Sequence, residues 1–342
     1  MIWEKEEIKT LSEQFDISAE IRLHDKAEDY HFPRKSFLGK GYSPPGGYVK
    51  DFSVIMVNGR LHLFHIDGRP GETCWITGNE ISFGHASTSD YQKWIRHPMP
   101  LAIGDRSWES EHVWAPYIYE KNGIYYMFYM GAGCGETFIS YATSSNLQSW
   151  KRWKQGPIRS AIGRDPFVFD GADKTVLLFT GRGGARISGC ISRDMISWRL
   201  IPDILRIPNG AAAESCSLHT LDDCFILWFN DYRPKLAGFR AAYAISDNPF
   251  QFNADAIQEF RFICPDAIPS PELPVKQPVP LSIELIAKGE NTWLVAYFRW
   301  QTDRNRLFFG ELNWSTEPAT LTEINNEESL HNVLAKTSKN NF

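Results

Sequence analysis

The chain has 342 residues, 36 basic and 41 acidic, and a formal charge of −5 at neutral pH. That balance excludes the basic footprint of a nucleic-acid or anionic-membrane binder, and 43 % apolar with 23 % charged residues excludes a disordered chain. Aromatic residues reach 14 % (12 Trp, 13 Tyr, 22 Phe), which suits β-rich folds and equally suits clefts that stack on sugar rings.

The opening residues, Met1-Ile2-Trp3-Glu4-Lys5-Glu6-Glu7, lack the basic and apolar regions of a secretory signal. No apolar run approaches the ~18 residues of a membrane span. The six cysteines (Cys74, Cys134, Cys190, Cys216, Cys224, Cys264) show no Cys-x-x-Cys pair and no zinc spacing. Reduced thiols in a cytoplasmic protein are expected. Residues 1–45 read as an irregular segment, and Pro44-Pro45-Gly46-Gly47 as a linker into the first regular element.

From there the chain repeats itself. An apolar strand, a tight polar turn and an aromatic-rich strand recur five times. The first copy is Phe52 to Val57, turn Asn58-Gly59, then Leu61 to Phe64; the second is Val113 to Tyr119, turn Asn122-Gly123, then Ile124 to Tyr129. The third runs Pro166 to Phe169 and Val176 to Phe179 about a turn through Gly171 and Asp173. The fourth runs Ser217 to His219 and Phe225 to Phe229 about Asp222-Asp223, and the fifth Leu281 to Ala287 and Trp293 to Phe298 about Glu290-Asn291. Asn-Gly between apolar runs is a strong hairpin signal.

A second pattern follows the first four hairpins: Ala86-Ser87-Thr88-Ser89-Asp90 closing on Trp94, Ala142-Thr143-Ser144-Ser145-Asn146 on Trp150, Ile191-Ser192-Arg193-Asp194 on Trp198, and Ala244-Ile245-Ser246-Asp247-Asn248 on Phe250. The closing aromatics are 56, 48 and 52 residues apart. An all-β repeat of that period predicts a propeller, each unit supplying one four-stranded antiparallel blade. Five hairpins predict an all-β, five-bladed β-propeller over residues 46–315, with 316–342 as a polar tail that forms a short helix or stays loose. Ile263 to Pro280 holds six prolines in eighteen residues, a rigid connection between blades four and five.

In a propeller the first strand of each blade lines the central axis. Counting back from the turns, Asp51 stands 7 before Asn58, Ala115 stands 7 before Asn122, Asp165 stands 8 before Asp173 and Glu214 stands 8 before Asp222. Blades one, three and four would therefore each bring a carboxylate to an equivalent place. Clustered carboxylates are costly in low dielectric, so either a cation or water neutralises them or they serve chemistry. Glycoside cleavage uses such a set: one group protonates the leaving oxygen, another attacks the anomeric carbon or activates water, and a third supports the transition state.

These residues carry a resemblance. Gly163-Arg164-Asp165-Pro166 is similar to the Arg-Asp-Pro motif of the five-bladed propeller glycoside hydrolases, the superfamily holding families 32, 43, 62 and 68. Ile81 to Tyr91 through Trp94, followed by Pro98-Met99-Pro100-Leu101, resembles the region between blades one and two of family 32 enzymes. His112-Val113-Trp114-Ala115-Pro116 resembles family 43, and Ala213-Glu214-Ser215-Cys216 resembles the glutamate motif of the fourth blade. The resemblance spans roughly residues 45 to 315. It implies a glycoside hydrolase acting on furanoside-type bonds (β-fructofuranoside, or α-L-arabinofuranoside and β-xyloside) of a small-molecule or oligosaccharide substrate. Asp51 would be nucleophile or general base, Asp165, with Arg164 beside it, would stabilise the transition state or tune the acid, and Glu214 would be the general acid. No cofactor is required. A structural Ca2+ on the axis is one option, with His219 on an innermost strand as its candidate ligand, as in some family 43 members.

Two departures stand out. Family 32 carries an Asn-Asp-Pro-Asn-Gly-like stretch at its nucleophile, where this chain has Lys50-Asp51-Phe52-Ser53. Only 28 residues follow Trp314, which leaves no room for the family 32 C-terminal sandwich and points to a compact single-domain enzyme. The altered neighbours of Asp51 keep two alternatives open: glycosyl transfer or a non-hydrolytic step in specialised metabolism, and an inactive carbohydrate-binding propeller. Trp75, Trp108 and Trp114 are candidate sugar platforms, and His85 and His112 candidate partners for hydroxyls, although blade packing would use the same residues. Asp231, within Asn230-Asp231-Tyr232-Arg233, and Arg299, before Trp300, are placed to close a pocket. Gly181-Arg182-Gly183-Gly184 has no following helix and reads as a blade turn, not a phosphate loop.

Overall fold

The computed structural model describes residues 30–31, 37–72, 74–208, 212–233, 238–264, 279–299 and 305–337. Among them the strands sort into five sheets, the blades of a five-bladed β-propeller, each built on a four-stranded antiparallel meander. The chain divides into two compact units, the first holding residues 44–164 and the second 37–43 with everything from Asp165 onward.

The first unit carries two blades. Blade one is β2 (Tyr48–Val57), β3 (Arg60–Gly68), β4 (Ser82–Thr88) and β5 (Ile95–His97), edged by the two-residue β1 (Tyr30–His31). Blade two is β6 (His112–Lys121), β7 (Ile124–Gly133), β8 (Glu136–Ser144) and β9 (Lys151–Arg152). Both inner hairpins turn in two residues, with positive φ at Asn58 and Gly59 (50° and 72°) and at Asn122 and Gly123 (55° and 74°). That is the type I′ geometry whose twist matches paired strands. Phe64, Ile66, Phe83, Val113, Met127 and Tyr129 form the core of this unit, and the Ser53 hydroxyl accepts from the Ile118 N–H (3.0 Å) to tie β2 to β6.

The second unit carries three blades: β10 (Gly163–Asp170), β11 (Thr175–Gly181), β12 (Arg186–Ser192) and β13 (Arg199–Arg206); β14 (Ala212–Leu221), β15 (Cys224–Arg233), β16 (Gly238–Ser246) and β17 (Gln258–Glu259); and β19 (Pro280–Lys288), β20 (Thr292–Arg299), β21 (Arg306–Asn313) and β22 (Thr320–Glu323). The last gains β18 (Arg261–Ile263), parallel to β22. Blade five thus closes past residue 315. Part of the segment expected as a polar tail is its outer strand, and helix α1 (Glu327–Thr337) follows, burying Leu330 and Val333. Residues 265–278 of the proline-rich connection lie outside the described residues.

The motif that precedes each closing aromatic is a turn device. Asp90 Oδ1 accepts from the N–H groups of Gln92 and Lys93 (2.9 and 2.7 Å), Asn146 Oδ1 from Gln148 and Ser149 (3.0 and 2.9 Å), and Asp194 Oδ1 from Ile196 and Ser197 (2.8 and 2.7 Å). The residue after each acceptor is left-handed: Tyr91, Leu147 and Met195, with φ of 61°, 63° and 63°. Short polar side chains that mimic a backbone acceptor stabilise such turns. The indoles of Trp150 and Trp198 then donate to the Leu147 and Met195 carbonyls, each at 3.1 Å.

Candidate active site

The innermost strands share a second device. Each holds one left-handed residue: Asp51 (φ 32°), Ala115 (49°), Asp165 (57°), Ser215 (50°) and Ser282 (49°). In four of the five the ladder slips there, between Lys50 and Phe52, Trp114 and Tyr117, Glu214 and Ser217, and Leu281 and Glu284. A bulge with a non-glycine residue at positive φ is strained, and such strain concentrates where a side chain must be re-aimed for function. Four of these residues stand 7 before the hairpin position, at Asn58, Asn122, Asp222 and Gly289. In blade four the bulge residue is therefore Ser215, and Glu214 is its immediate predecessor instead of the register mate of Asp51.

Around Asp51, in the first unit, Lys50 Nζ lies 3.9 Å from Asp51 Oδ2 and 3.2 and 3.3 Å from the two oxygens of buried Glu80. The Tyr48 hydroxyl donates to Glu80 Oε1 at 2.5 Å. Burial opposes the Lys50 charge, but the Asp51 and Glu80 carboxylates outweigh it and hold the ammonium above its ordinary range. Burial, then Glu80, pushes the Tyr48 phenol well up. The Asn79 carbonyl accepts from His112 Nδ1–H at 2.9 Å, which leaves Nε2 as the acceptor, and burial keeps this imidazole below its usual pKa. His112 stacks on Trp114 (4.5 Å, 9°), and Trp75, 71 % exposed, meets Trp114 edge-on at 4.9 Å. Of the residues singled out from the sequence, Trp75, Trp114 and His112 therefore come together as one aromatic wall. Through Asn79 it adjoins Glu80, which shares Lys50 with Asp51.

In the second unit, buried Asp165 accepts through Oδ2 from the Thr180 hydroxyl (3.2 Å) and from the N–H of Ser215 (3.1 Å), the residue after Glu214. Thr180 also donates to the Ala213 carbonyl at 2.6 Å. Arg164 precedes Asp165 on β10 and is half-buried. Asn230 lies opposite Glu214 on β15, and buried Asp231 opposite Ala213. The Asn230 side chain accepts from Ser282 N–H (3.1 Å), while the Ser282 hydroxyl donates to that of Ser215 (3.0 Å). Burial, then Asp165, raises the Cys216 thiol, and burial alone raises the Glu284 carboxyl well above its ordinary range. Arg233 and Trp300 fall on side chains outside the described residues.

Four candidates sit elsewhere. Trp108 packs over Gly131 and stands 6.3 Å from Tyr129 within blade two. His85 stacks on Phe64 (4.2 Å) in the interior of blade one. Arg299 pairs with buried Glu323 (3.3 Å) and lies 3.9 Å over the Phe308 ring. His219 bonds to Ser217 (2.9 Å) among Trp228, Phe167 and Trp293, and burial drives its pKa to about 3. Those rings suit a neutral packing imidazole and not a ligand of an oxygen-coordinated calcium ion. Lys50, Glu80, Thr180 and Glu284 escaped the sequence reading. Lys50 stood beside Asp51 without a motif of its own, Glu284 sat inside the fifth hairpin copy with nothing to single it out, and Glu80 and Thr180 lie outside the repeats.

Residues 42–251, more than half of the chain, match the model of the glycosyl hydrolases family 32 N-terminal domain. The chain belongs to that family. No curated protein sequence matches it. Among solved structures it is similar to the Bombyx mori GH32 β-fructofuranosidase BmSUC1, at TM-score 0.62 and 16 % identity over 91 % of this chain and 68 % of that one. It is also similar to the RS223 β-xylosidase (TM-score 0.60, 16 % identity, 85 % and 97 % covered). A third is CoXyl43, a GH43 β-xylosidase/α-arabinofuranosidase from a compost microbial metagenome (TM-score 0.59, 16 % identity, 83 % and 96 % covered). At these identities the likeness is one of fold, and it is the fold shared by families 32 and 43. The chain is a glycoside hydrolase of this propeller type. Among the described residues, no helix is long and apolar enough to cross a membrane.

Proposed function

We propose that this glycosidase hydrolyses furanoside-type bonds, β-fructofuranosides or α-L-arabinofuranosides and β-xylosides, of small glycosides or oligosaccharides. Asp51 attacks the anomeric carbon or activates water, Glu214 protonates the leaving oxygen, and Asp165 supports the oxocarbenium-like transition state with Arg164 beside it. The observation that carries the reading is the left-handed residue repeated on the five innermost strands. Asp51 and Asp165 occupy it in their own blades, and Glu214 adjoins it in a third, next to the N–H that Asp165 accepts. A packed strand has no need of a carboxylate at a strained backbone position. Trp75, set edge-on against Trp114, offers a sugar face. The chemistry draws on side-chain carboxyls and water. All six cysteines are thiols, which supports a cytoplasmic setting.

A second reading, glycosyl transfer to an acceptor other than water, is favoured by the buried Lys50–Glu80 pair beside Asp51. Incubating the protein with nitrophenyl arabinofuranoside, nitrophenyl xyloside, sucrose and inulin, and following products by NMR, tests both readings. Free sugar with one anomer formed first supports hydrolysis and reports its stereochemistry. Products extended by one sugar support transfer. No turnover of any of them overturns the furanosidase assignment. A crystal structure adds the Asp51–Glu214 carboxyl separation, which would be about 5–5.5 Å for retention and ~6.5–9.5 Å for inversion.

A further inference from the structure

Blade one contains a cluster of chemistry-bearing side chains that the glycosidase reading does not use. His62 on β3, His85 on β4 and His97 on β5 project from one face of three adjacent strands. His85 lies directly opposite His97, and His62 lies opposite Ser87, two residues along from His85. One imidazole nitrogen of each comes within 4.8 Å of the other two. His62 Nδ1 and His85 Nε2 are 3.0 Å apart, and the rings of His85 and His97 are separated by 4.3 Å.

Three imidazoles this close cannot all be protonated. Burial, then the neighbouring His97, lowers His62 to about 4, and burial, then His97 and His62, holds His85 well below the ordinary imidazole range. Imidazole ligates a metal through a neutral ring nitrogen, and three such nitrogens converge here.

We propose that His62, His85 and His97 form a binding site for a zinc-class divalent ion. Two imidazole nitrogens at ~2.0–2.1 Å from a tetrahedral ion stand about 3.3 Å apart, so the 3.0 Å His62–His85 separation needs only a few tenths of an ångström of relaxation. Neutral nitrogen donors without carboxylates select zinc, copper or nickel over calcium and magnesium. Ser87 Oγ, 2.7 Å from His97 Nε2, fixes the orientation of that ring from the outer shell. Half-buried His62 marks the solvent side, where an ion enters and where water takes the fourth position. Half-buried Arg60 reaches Ser87 Oγ at 3.4 Å on a chain long enough to withdraw into solvent. An ion bound here clamps the three outer strands of blade one.

Calorimetric titration of the full chain, stripped with EDTA, with Zn2+ alone tests the site, and Co2+ absorbance reports coordination geometry. One equivalent of Zn2+ is expected to bind and to raise the melting temperature by about 2–5 °C. Binding should weaken by roughly 100-fold or more in His62→Gln, which removes the least buried ligand and spares the core. His331→Asn, on the exposed face of α1, should change nothing. Tetrahedral Co2+ bands should appear in the parent chain and vanish in His62→Gln. Absence of a one-to-one site, or a site unaltered in His62→Gln, overturns the proposal.

Discussion

Replacing Glu80 by Gln tests the arrangement around Asp51 through one buried charge. The Glu80 side chain is fully buried and takes Lys50 Nζ at 3.2 and 3.3 Å and the Tyr48 hydroxyl at 2.5 Å. The substitution keeps the shape and removes the charge, so the desolvated ammonium is left with Asp51, 3.9 Å away. Breaking a buried pair by neutralising one partner costs about 3–5 kcal/mol. With an unfolding entropy of about 2.1 cal/mol/K per residue, the chain's 342 residues give roughly 0.7 kcal/mol/K, so the melting temperature should fall by about 4–7 °C. Lys50, released from Glu80, should close on Asp51 and occupy an oxygen needed for attack, lowering kcat by roughly ten-fold. Differential scanning calorimetry and initial rates on the best glycoside of the panel read the two effects. Glu72→Gln serves as control, because the Arg69–Glu72 pair is partly exposed and should be worth under ~1 kcal/mol. A Glu80→Gln protein that melts within about 1 °C of the parent and keeps its kcat would refute the reasoning.

Other outcomes follow from burial. The folded pKa of Glu284 is raised, so the folded state binds more protons than the unfolded one above the unfolded value, and stability is lost as pH rises. Glu284→Gln should therefore raise the melting temperature at pH 8 and leave it unchanged near pH 4. The opposite sign holds for His219, whose folded pKa of about 3 lies below its ordinary 6.5. The unfolded chain binds the extra proton between those values, so stability falls as pH drops through this window, and His219→Gln should move the midpoint of acid unfolding lower. Trp75→Ala removes an exposed ring and should raise KM several-fold with a melting temperature within about 1 °C, whereas an unchanged KM would remove this ring from the sugar site.

The propeller was legible in the sequence because each blade repeats the same local physics. Asn58-Gly59 and Asn122-Gly123 dictate tight hairpins, and Asp90, Asn146 and Asp194 dictate the turns before the closing aromatics. Most of the aromatic excess is packing of this kind, as in the Trp228–Trp293 contact (5.9 Å). In blade four the carboxylate Glu214 stands 8 before the turn, whereas the left-handed residue is Ser215, 7 before it, as in blade one. Glu80 was invisible in the sequence. It reaches Lys50 across 30 residues of chain, and no periodicity encodes a long-range charge pair. Arg299 shows the reverse, since a polar residue that completes a buried ion pair looks, in sequence, like one placed to meet a ligand.

The central claim, hydrolysis by Asp51 and Glu214, is tested most directly by comparing Asp51→Asn and Glu214→Gln on two substrates of different leaving group. Nitrophenolate departs with little protonation, whereas the sugar leaving group of sucrose or a xylo-oligosaccharide needs an acid. Asp51→Asn should lose about 10³-fold or more of kcat on both, while Glu214→Gln should lose ~10²–10⁴-fold on the oligosaccharide and far less on the nitrophenyl glycoside. Folded variants that retain parental rates on both substrates would contradict the account.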